Sequence, residues 1–234
     1  SEILLRDANG VLQPVVHETS GEQDIVVTPD RDFSLTHLTT NSAVDDEPAW
    51  SPDGQSLAFS SYLTGNSEIF TMDADGSNVV QLTDSLGENW HPDWSPDGSR
   101  IAFTSKSDLT GGVTANWELF VMDANGGNVK QLTRTEENEW RPVWSPDGKR
   151  LAFARLVPGT DWDVFVMDAN GGNIVQLTDS ADANFEPVWS PDGSRLAFAS
   201  NRSGEMEVYL MDADGARIQR LGLVGIPSDW TEHG

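Results

Sequence analysis

The amino-acid sequence predicts an all-β propeller of four-stranded blades, with five blades and an extra C-terminal innermost strand. The first observation is the phrase Trp-Ser-Pro-Asp-Gly, which recurs at steps of 44, 50 and 45 residues and begins at Trp50, Trp94, Trp144 and Trp189. The second is that short apolar runs separated by turn residues follow each copy. A period of this length is typical of propeller blades. A six-bladed ring, incomplete in this chain, is the alternative.

The unit at residues 40–83 contains four short runs that each predict a strand, namely Pro48 to Trp50, Leu57 to Phe59, Ile69 to Met72 and Val79 to Leu82. Between the first two, Ser51-Pro52-Asp53-Gly54 favours a type I turn, with Pro at the second position and Gly at the fourth. Between the last two, Asp73-Ala74-Asp75-Gly76 predicts a hairpin turn with Gly in the left-handed conformation.

The second strand has the same pattern in every copy, Leu57-Ala58-Phe59, Ile101-Ala102-Phe103, Leu151-Ala152-Phe153 and Leu196-Ala197-Phe198. Because side chains alternate between the two faces of a strand, the small Ala faces away from its large neighbours. We expect this small residue to let an adjacent blade approach. Apolar residues on both faces of the third strand indicate a sheet covered on both sides, as a blade between two blades is.

Residues 1–39 form a weaker copy of the unit. A shift of 44 aligns Asp24-Ile25-Val26-Val27 with Glu68-Ile69-Phe70-Thr71, and His37-Leu38-Thr39 with Gln81-Leu82-Thr83. A competing alignment of Glu2 to Gly10 with Glu68 to Gly76 extends over fewer residues, so the first is preferred. The predicted single domain therefore has blades at residues 1–39, 40–83, 84–133, 134–178 and 179–221. Asp229-Trp230 predicts a closing innermost strand at 226–231, which we expect to pair with the first blade.

Composition excludes several classes of function. The formal charge is −24, from 38 acidic and 14 basic residues. Phosphate binding needs clustered Lys and Arg, so nucleic acid is not an expected partner, and anionic lipid surfaces are disfavoured for the same reason. No apolar run approaches the roughly 20 residues of a membrane helix, so no membrane insertion is expected. There is no cysteine, which excludes disulfides.

The repeat resembles the TolB-like propeller family. The residues that carry the resemblance are Pro-x-Trp-Ser-Pro-Asp-Gly, then Leu-Ala-Phe, then a strand ending Met-Asp-Ala-Asp-Gly or Met-Asp-Ala-Asn-Gly, then Gln-Leu-Thr, strongly over residues 40–221 and weakly over 1–39. The resemblance implies a periplasmic or extracellular protein, often a protein-binding scaffold. It also implies two enzymatic relatives, the propeller-type polysaccharide lyases and the propeller half of prolyl-oligopeptidase-like hydrolases. Since one fold hosts many functions, function must be argued from a site.

The copies differ most just before the repeat Pro. Eight residues there, which we name the mouth cluster, are Asp46, Glu47, Trp90, His91, Trp140, Arg141, Phe185 and Glu186. They are preceded by Asp45, Asn89, Glu139 and Asn184, and we expect all of these positions to ring one mouth of the central channel. Aromatic rims with a few polar groups are typical of ligand sites. The alternative is that the three aromatic residues only wedge between blades.

Trp117 and Trp162 precede the third strand in two copies and are candidate interface residues. Trp117 follows an insertion at residues 108–116, which explains the longer 50-residue step. Insertions in repeat arrays map to loops, often on a binding face, and exposed Trp residues are common in interfaces.

The leading functional hypothesis is a non-enzymatic scaffold that binds a protein segment or a glycan at the mouth, with a role as a subunit of an extracellular assembly as a further option. The enzymatic alternative is a lyase that uses His91, Arg141, Glu47 and Glu186 on acidic sugars. The Gly-x-Ser-x-Gly elbow of a hydrolase is absent from the sequence, so only the propeller portion of such an enzyme is compatible with the chain.

No cofactor is predicted, although Asp73-x-Asp75-Gly76 superficially suggests a calcium loop. An EF-hand loop needs Gly at position 6 and a carboxylate at position 12. Here Gly is at position 4 and a strand follows, so the hairpin turn is the preferred interpretation and calcium a minor alternative.

Overall fold

The computed structural model describes residues 15–19, 22–27, 36–107 and 113–227. The regular structure of these residues is entirely β and forms five antiparallel sheets, which we number blades 1 to 5 in chain order. Within these ranges no helix has the length and apolar character that crossing a membrane requires. The predicted all-β propeller is therefore confirmed.

Blade 1 has three described strands, and each later blade has four that follow one another in chain order. Blade 1 contains β1 (Val15–Thr19), β2 (Glu22–Val27) and β3 (Thr36–His37). Blade 2 contains β4 (Asp45–Trp50), β5 (Ser56–Ser61), β6 (Glu68–Asp73) and β7 (Val80–Gln81). Blade 3 contains β8 (Asn89–Trp94), β9 (Arg100–Ser107), β10 (Val113–Asp123) and β11 (Lys130–Gln131). Blade 4 contains β12 (Glu139–Trp144), β13 (Arg150–Leu156), β14 (Trp162–Asp168) and β15 (Val175–Gln176), and blade 5 contains β16 (Asn184–Trp189), β17 (Arg195–Ser200), β18 (Glu207–Asp212) and β19 (Gln219–Val224).

The Ser-Pro-Asp-Gly segment forms the predicted tight turn. In blade 2 the Gly54 N–H donates to the Ser51 carbonyl at 2.8 Å, and Gly54 has a φ of 66°. The Ser51 hydroxyl donates to the Asp53 carboxylate at 2.7 Å. In blades 3 and 5 the turn Asp accepts hydrogen bonds from the turn Ser hydroxyl and from both the N–H and the hydroxyl of the residue after the Gly. These bonds lower the pKa of Asp97 and of Asp192 to about 2. The repeat phrase is thus explained by local turn chemistry.

The core lies between blades, where the Ala face of one sheet packs on the Phe face of the next. Ala58 and Ile69 of blade 2 pack with Phe103 and Phe120 of blade 3, and the pattern recurs for the next two pairs of blades. The middle Ala of the second strand in blades 2, 3 and 4 has no exposed surface, as expected of a small residue that lets the next blade approach closely. Across the same boundaries the Arg150 guanidinium lies 4.6 Å from the Trp189 ring centroid, and Arg100 stacks on Trp144 in the same way.

The strand pairing in blade 1 confirms the preferred alignment of residues 15–37. Val26 pairs with His37 in blade 1, as Phe70 pairs with Gln81 in blade 2, which is a shift of 44 in both strands. Residues 1–14, and residues 228–231 of the predicted closing strand, lie outside the described residues. Closure of the ring therefore stays a prediction.

The outermost strands are shorter than predicted in blades 2 to 4 and longer in blade 5. Val79 to Leu82 predicts a strand, of which β7 comprises Val80–Gln81. In blade 5, β19 runs for six residues to Val224, beyond the predicted boundary at 221.

Candidate functional site

Each innermost strand of blades 2 to 5 contains a bulge at the position before the repeat Pro. Pairing with the next strand shifts register there, and the residue adopts a left-handed φ of 51–55° in Glu47, His91, Arg141 and Glu186. A non-Gly residue in this region costs about 1–2 kcal/mol. The Pro that follows has no N–H, so it suits a bulge. A bulge re-aims a side chain, and all four re-aimed residues belong to the mouth cluster.

The four re-aimed side chains form two acid–base pairs between neighbouring blades. His91 Nε2 of blade 3 lies 3.3 Å from Glu47 Oε1 of blade 2. Arg141 of blade 4 forms an ion pair with Glu186 of blade 5. The His91 and Trp140 ring centroids are 4.3 Å apart in an edge-to-face arrangement, so contacts of mouth-cluster residues run from blade 2 to blade 5. The structure brings these five residues of the mouth cluster together, and their role in binding stays a prediction.

The aromatic residues extend this cluster to the blade surface. Trp90 packs edge-on against Tyr62 at 5.6 Å, and Trp140 packs edge-on against Trp117 at 5.1 Å. The Lys106 ammonium lies 4.6 Å from the Trp117 ring centroid. Sequence analysis placed Trp117 in a separate group, but the structure joins it to the mouth cluster through Trp140. Tyr62 and Lys106 also contact this cluster, and comparing the repeats in the sequence does not single out either residue.

Phe185 and Trp162, the other aromatic candidates, are both partly exposed. Their exposure, like that of Trp90 and Trp140, is intermediate between core and surface.

The charges of the mouth cluster are coupled. Burial opposes ionisation of Glu47, but the hydrogen bond from His91 and the charges of His91 and Arg141 lower the pKa of Glu47 to about 2. For Asp46, burial and the neighbouring Glu47 charge raise the pKa, against the hydrogen bond from the Glu47 N–H and the charges of His91 and Arg141. The Asp46 side chain accepts that N–H at 2.8 Å. Within the described structure, His91 Nδ1 is buried without a hydrogen-bond partner.

The residues that precede the aromatic positions do not line the mouth, which corrects the expectation for Asp45, Asn89, Glu139 and Asn184. All four are buried, with exposures of 0–2%. Asn89 Nδ2 donates to Glu68 Oε2 of the preceding blade at 2.7 Å, and Asn184 Nδ2 donates to Asp163 Oδ1 at 3.1 Å. These positions alternate with the aromatic residues along the strand, so they point into the interface between blades instead.

The Asp-x-Asp-Gly segments form the predicted hairpin turns. Gly76 has a φ of 83°, its N–H donates to the Asp73 carbonyl at 2.9 Å, and Asn78 Nδ2 donates to the Asp73 carboxylate at 2.7 Å. Among the residues described, no group of three or more His, Asp or Glu side chains is placed to hold a metal ion.

A cavity of about 510 Å³ lies away from the mouth cluster, where turns of blades 4 and 5 meet. Arg150 and Arg217 line it. Arg217 Nε donates to the Asp212 carboxylate at 2.5 Å, in the place where Asn173 Nδ2 donates to Asp168 at 2.7 Å. The arginine therefore fills a role that the repeat assigns to a turn asparagine.

Two acid–base pairs flanked by partly exposed aromatic rings thus lie on the innermost strands of the propeller. The model of the TolB β-propeller domain matches residues 9–140 and again residues 116–231. The chain belongs to the TolB β-propeller domain family.

Solved structures show the same fold. A protein assigned as TolB from Agrobacterium tumefaciens superposes with a TM-score of 0.79 at 24% identity, over 96% of this chain and 82% of that one. TolB from Acinetobacter baumannii superposes with a TM-score of 0.71 at 22% identity, over 85% of this chain and 48% of that one. This chain thus spans about half of that TolB.

An uncharacterised protein of Agrobacterium fabrum is 40% identical over 55 residues, which are 24% of this chain and 19% of that protein. The chain therefore matches about a fifth of the length of this curated relative.

Proposed function

We propose that the chain is a non-enzymatic scaffold whose mouth cluster binds an extended segment of a partner protein. The observation that carries the proposal is the set of four left-handed bulges, which aim Glu47, His91, Arg141 and Glu186 toward one another across four blades. Strained backbone that recurs at residues of varying identity is a feature of binding and active sites. The packing positions of the repeat barely change, so packing alone does not account for the variation at these four.

The pairing of the charged groups favours binding over catalysis. A lyase would need His91 or another base free to take a proton from substrate, yet His91 Nε2 faces Glu47. Arg141, the candidate clamp for an acidic sugar, faces Glu186. The low pKa of Glu47 keeps this carboxylate charged and paired at neutral pH. Each pair brings an acidic and a basic side chain together, so the mouth cluster carries groups of both signs.

The ring geometry favours a protein segment over a glycan. A sugar ring stacks on an open aromatic face, but Trp140 packs edge-to-face with both His91 and Trp117. Lys106 covers a face of Trp117. Partly buried aromatic rings beside paired charges are typical anchors of protein interfaces.

Charge favours a basic partner segment. The chain carries a formal charge of −24, and a charge of one sign steers oppositely charged partners to the surface. At the blade 2 side, Tyr62 packs against Trp90, and the Tyr62 hydroxyl donates to Glu88 Oε1 at 3.1 Å, so a carboxylate lies beside this pair of rings. A Lys or Arg side chain would find a carboxylate and ring faces together there.

The family supports a periplasmic or extracellular location and a role within a larger assembly. A chain of the nidogen–laminin complex shares the fold with a TM-score of 0.70 at 14% identity, and that propeller belongs to a protein–protein complex. For this chain, location and partner are part of the proposal.

The proposal is tested by titrating peptides of matched length, basic and acidic, into the purified chain in a calorimeter. A basic peptide should bind, and Trp140→Ala should weaken its affinity about 5- to 150-fold, which corresponds to about 1–3 kcal/mol for an anchor residue. Lys149→Ala is the control, because Lys149 is 80% exposed in the turn at the other end of β12.

Thermal unfolding of the same variants separates binding from stability. Unchanged affinity of the Trp140→Ala variant together with a large drop in melting temperature would show that Trp140 only packs between blades. Binding of the acidic peptides alone would refute the charge argument.

A further inference from the structure

The boundary between blades 3 and 4 differs in its buried polar contact from the boundaries on either side of it. At the boundaries on either side, an Asn side chain donates to a carboxylate of the preceding blade, Asn89 to Glu68 and Asn184 to Asp163. Glu139 occupies this position between blades 3 and 4, and Thr135 bridges it to Glu118, with the Thr135 hydroxyl donating to Glu139 and the Thr135 N–H to Glu118. An ionised Glu can only accept hydrogen bonds, so it cannot replace the Asn donor unless it carries a proton.

Both carboxyl groups are buried and only partly compensated. Glu118 is 3% exposed and Glu139 is 0% exposed. Glu139 accepts from Arg155 Nε at 2.9 Å, from the Thr135 hydroxyl at 2.7 Å and from the Thr133 hydroxyl at 3.2 Å. Glu118 Oε1 accepts the Thr135 N–H at 2.8 Å and Asn116 Nδ2 at 3.1 Å. Among the described atoms, Glu118 Oε2 has no hydrogen-bond partner. Two buried negative charges against one guanidinium would leave this site with an excess charge that burial penalises strongly.

We propose that Glu118 and Glu139 share one proton, and that losing it loosens the boundary between blades 3 and 4 directly beneath Trp117 and Trp140. With the proton present, a carboxyl O–H donates to the neighbouring carboxylate, which reproduces the Asn-to-carboxylate bond of the adjacent boundaries. The triad with Arg155 is then neutral. Without the proton, two buried carboxylates repel each other across the boundary.

The position of the pair connects it to the mouth cluster. Glu118 follows Trp117 on β10, and Glu139 precedes Trp140 on β12. The two tryptophan rings are in edge-to-face contact at 5.1 Å. Movement of β10 relative to β12 would therefore separate the two rings. The inference concerns the folded chain alone and does not depend on any ligand of the mouth cluster.

The electrostatic surroundings agree with this geometry. Burial and the Glu118 carboxylate raise the pKa of Glu139 to about 7, against the Thr135 hydrogen bond and the Arg155 charge. Two further charged or titratable groups lie against the tryptophan pair. Lys106 of β9 lies on Trp117, and His91 of β8 lies on Trp140.

The sign follows from linkage. Glu139 has a higher pKa in the folded state than its ordinary value of 4.5, so the stability that its proton contributes is fully present below about pH 4.5. As pH rises from there toward about 7, this contribution is lost, and the folding equilibrium constant falls by up to about tenfold per pH unit. Above about pH 7 the folding equilibrium no longer depends on this proton.

The experiment follows tryptophan fluorescence and the free energy of unfolding from about pH 5 to pH 8.5. The wild-type fluorescence should titrate with a midpoint near pH 7, and Glu139→Gln should abolish that titration because Gln donates permanently to Glu118. The stability difference between Glu139→Gln and wild type should grow from about pH 5 to about pH 7 and stay constant above that.

Two further variants make the test decisive. His91→Gln removes a residue type that ordinarily titrates near neutral pH, and it should retain the fluorescence titration. The double variant Glu139→Asn/Arg155→Ser introduces the residues that blade 3 has at these positions, Asn89 and Ser105, and it should fold without showing the titration. It keeps the proposal testable if the Glu139→Gln variant does not fold. Loss of the titration in His91→Gln, its persistence in Glu139→Gln or in the double variant, or a flat wild-type profile would overturn the proposal.

Discussion

Replacing Ala152 with Leu tests whether the middle Ala of the second strand sets the distance between blades. Ala152 has no exposed surface and packs with Val164 and Val166 against Trp189 and Phe198 of the next blade. A Leu adds three carbon atoms to a space already filled from both sheets. Overpacking of this kind costs about 1–3 kcal/mol, and a protein of this size loses about 2–4 °C of melting temperature per kcal/mol.

We therefore expect a melting temperature about 2–12 °C lower, measured by differential scanning calorimetry together with denaturant unfolding. The matched control is Ala216→Leu, at an exposed turn position, which should shift the melting temperature by less than about 2 °C. Equal melting temperatures for Ala152→Leu and wild type would refute the argument that this position limits the approach of blades.

Two further predictions concern contacts between blades. Gly171→Ala should lower the melting temperature more than Gly159→Ala. Both glycines have a positive φ, but of the two only Gly171 would place a Cβ against a backbone carbonyl of the preceding blade, at 2.8 Å. Equal effects in thermal unfolding would contradict this. Closure of the ring predicts that Trp230 packs as the buried repeat tryptophans do, with Arg195 stacked on its ring as Arg150 is on Trp189. Trp230→Ala should then destabilise the chain by about 3–5 kcal/mol. Unchanged denaturant unfolding would exclude closure through residues 226–231.

The strands and turns were predictable because each is specified by neighbouring residues. Ser51-Pro52-Asp53-Gly54 closes its own turn through hydrogen bonds within six residues. The alternation around Ala58 gives the two faces of β5, and both are buried as expected. The period of 44 residues likewise predicted the pairing of β2 with β3, although the residues of that blade are poorly matched to the repeat.

The candidate site was predictable as a set of positions but not as an arrangement. Sequence analysis grouped Glu47, His91, Arg141 and Glu186 by their shared place in the repeat. Their pairing depends on which blades are neighbours and on a left-handed backbone that no residue type there demands. The Pro at the following position disfavours the right-handed helical region for these residues, but it does not predict the left-handed one.

The buried position before each aromatic residue was misplaced for a related reason. Asn89 and Glu139 were assigned to the mouth because they lie at the entry to the innermost strand, next to the variable positions. Strand alternation puts neighbouring residues on opposite faces, and the carboxylates that face them come from the preceding blade, about 20 residues earlier in the chain. A strict count of strand faces would have placed them in the interface between blades.

The central claim, that the mouth cluster is the binding surface, is tested most directly by fluorine NMR of the chain labelled with 5-fluorotryptophan. The resonances of the mouth tryptophans are assigned by single substitution to Phe and followed as the basic peptide is added. The account predicts that Trp90, Trp140 and Trp117 shift, while Trp144 and Trp189, buried between blades, do not. Shifts confined to Trp144 and Trp189, or a bound peptide that moves none of the mouth resonances, would contradict it.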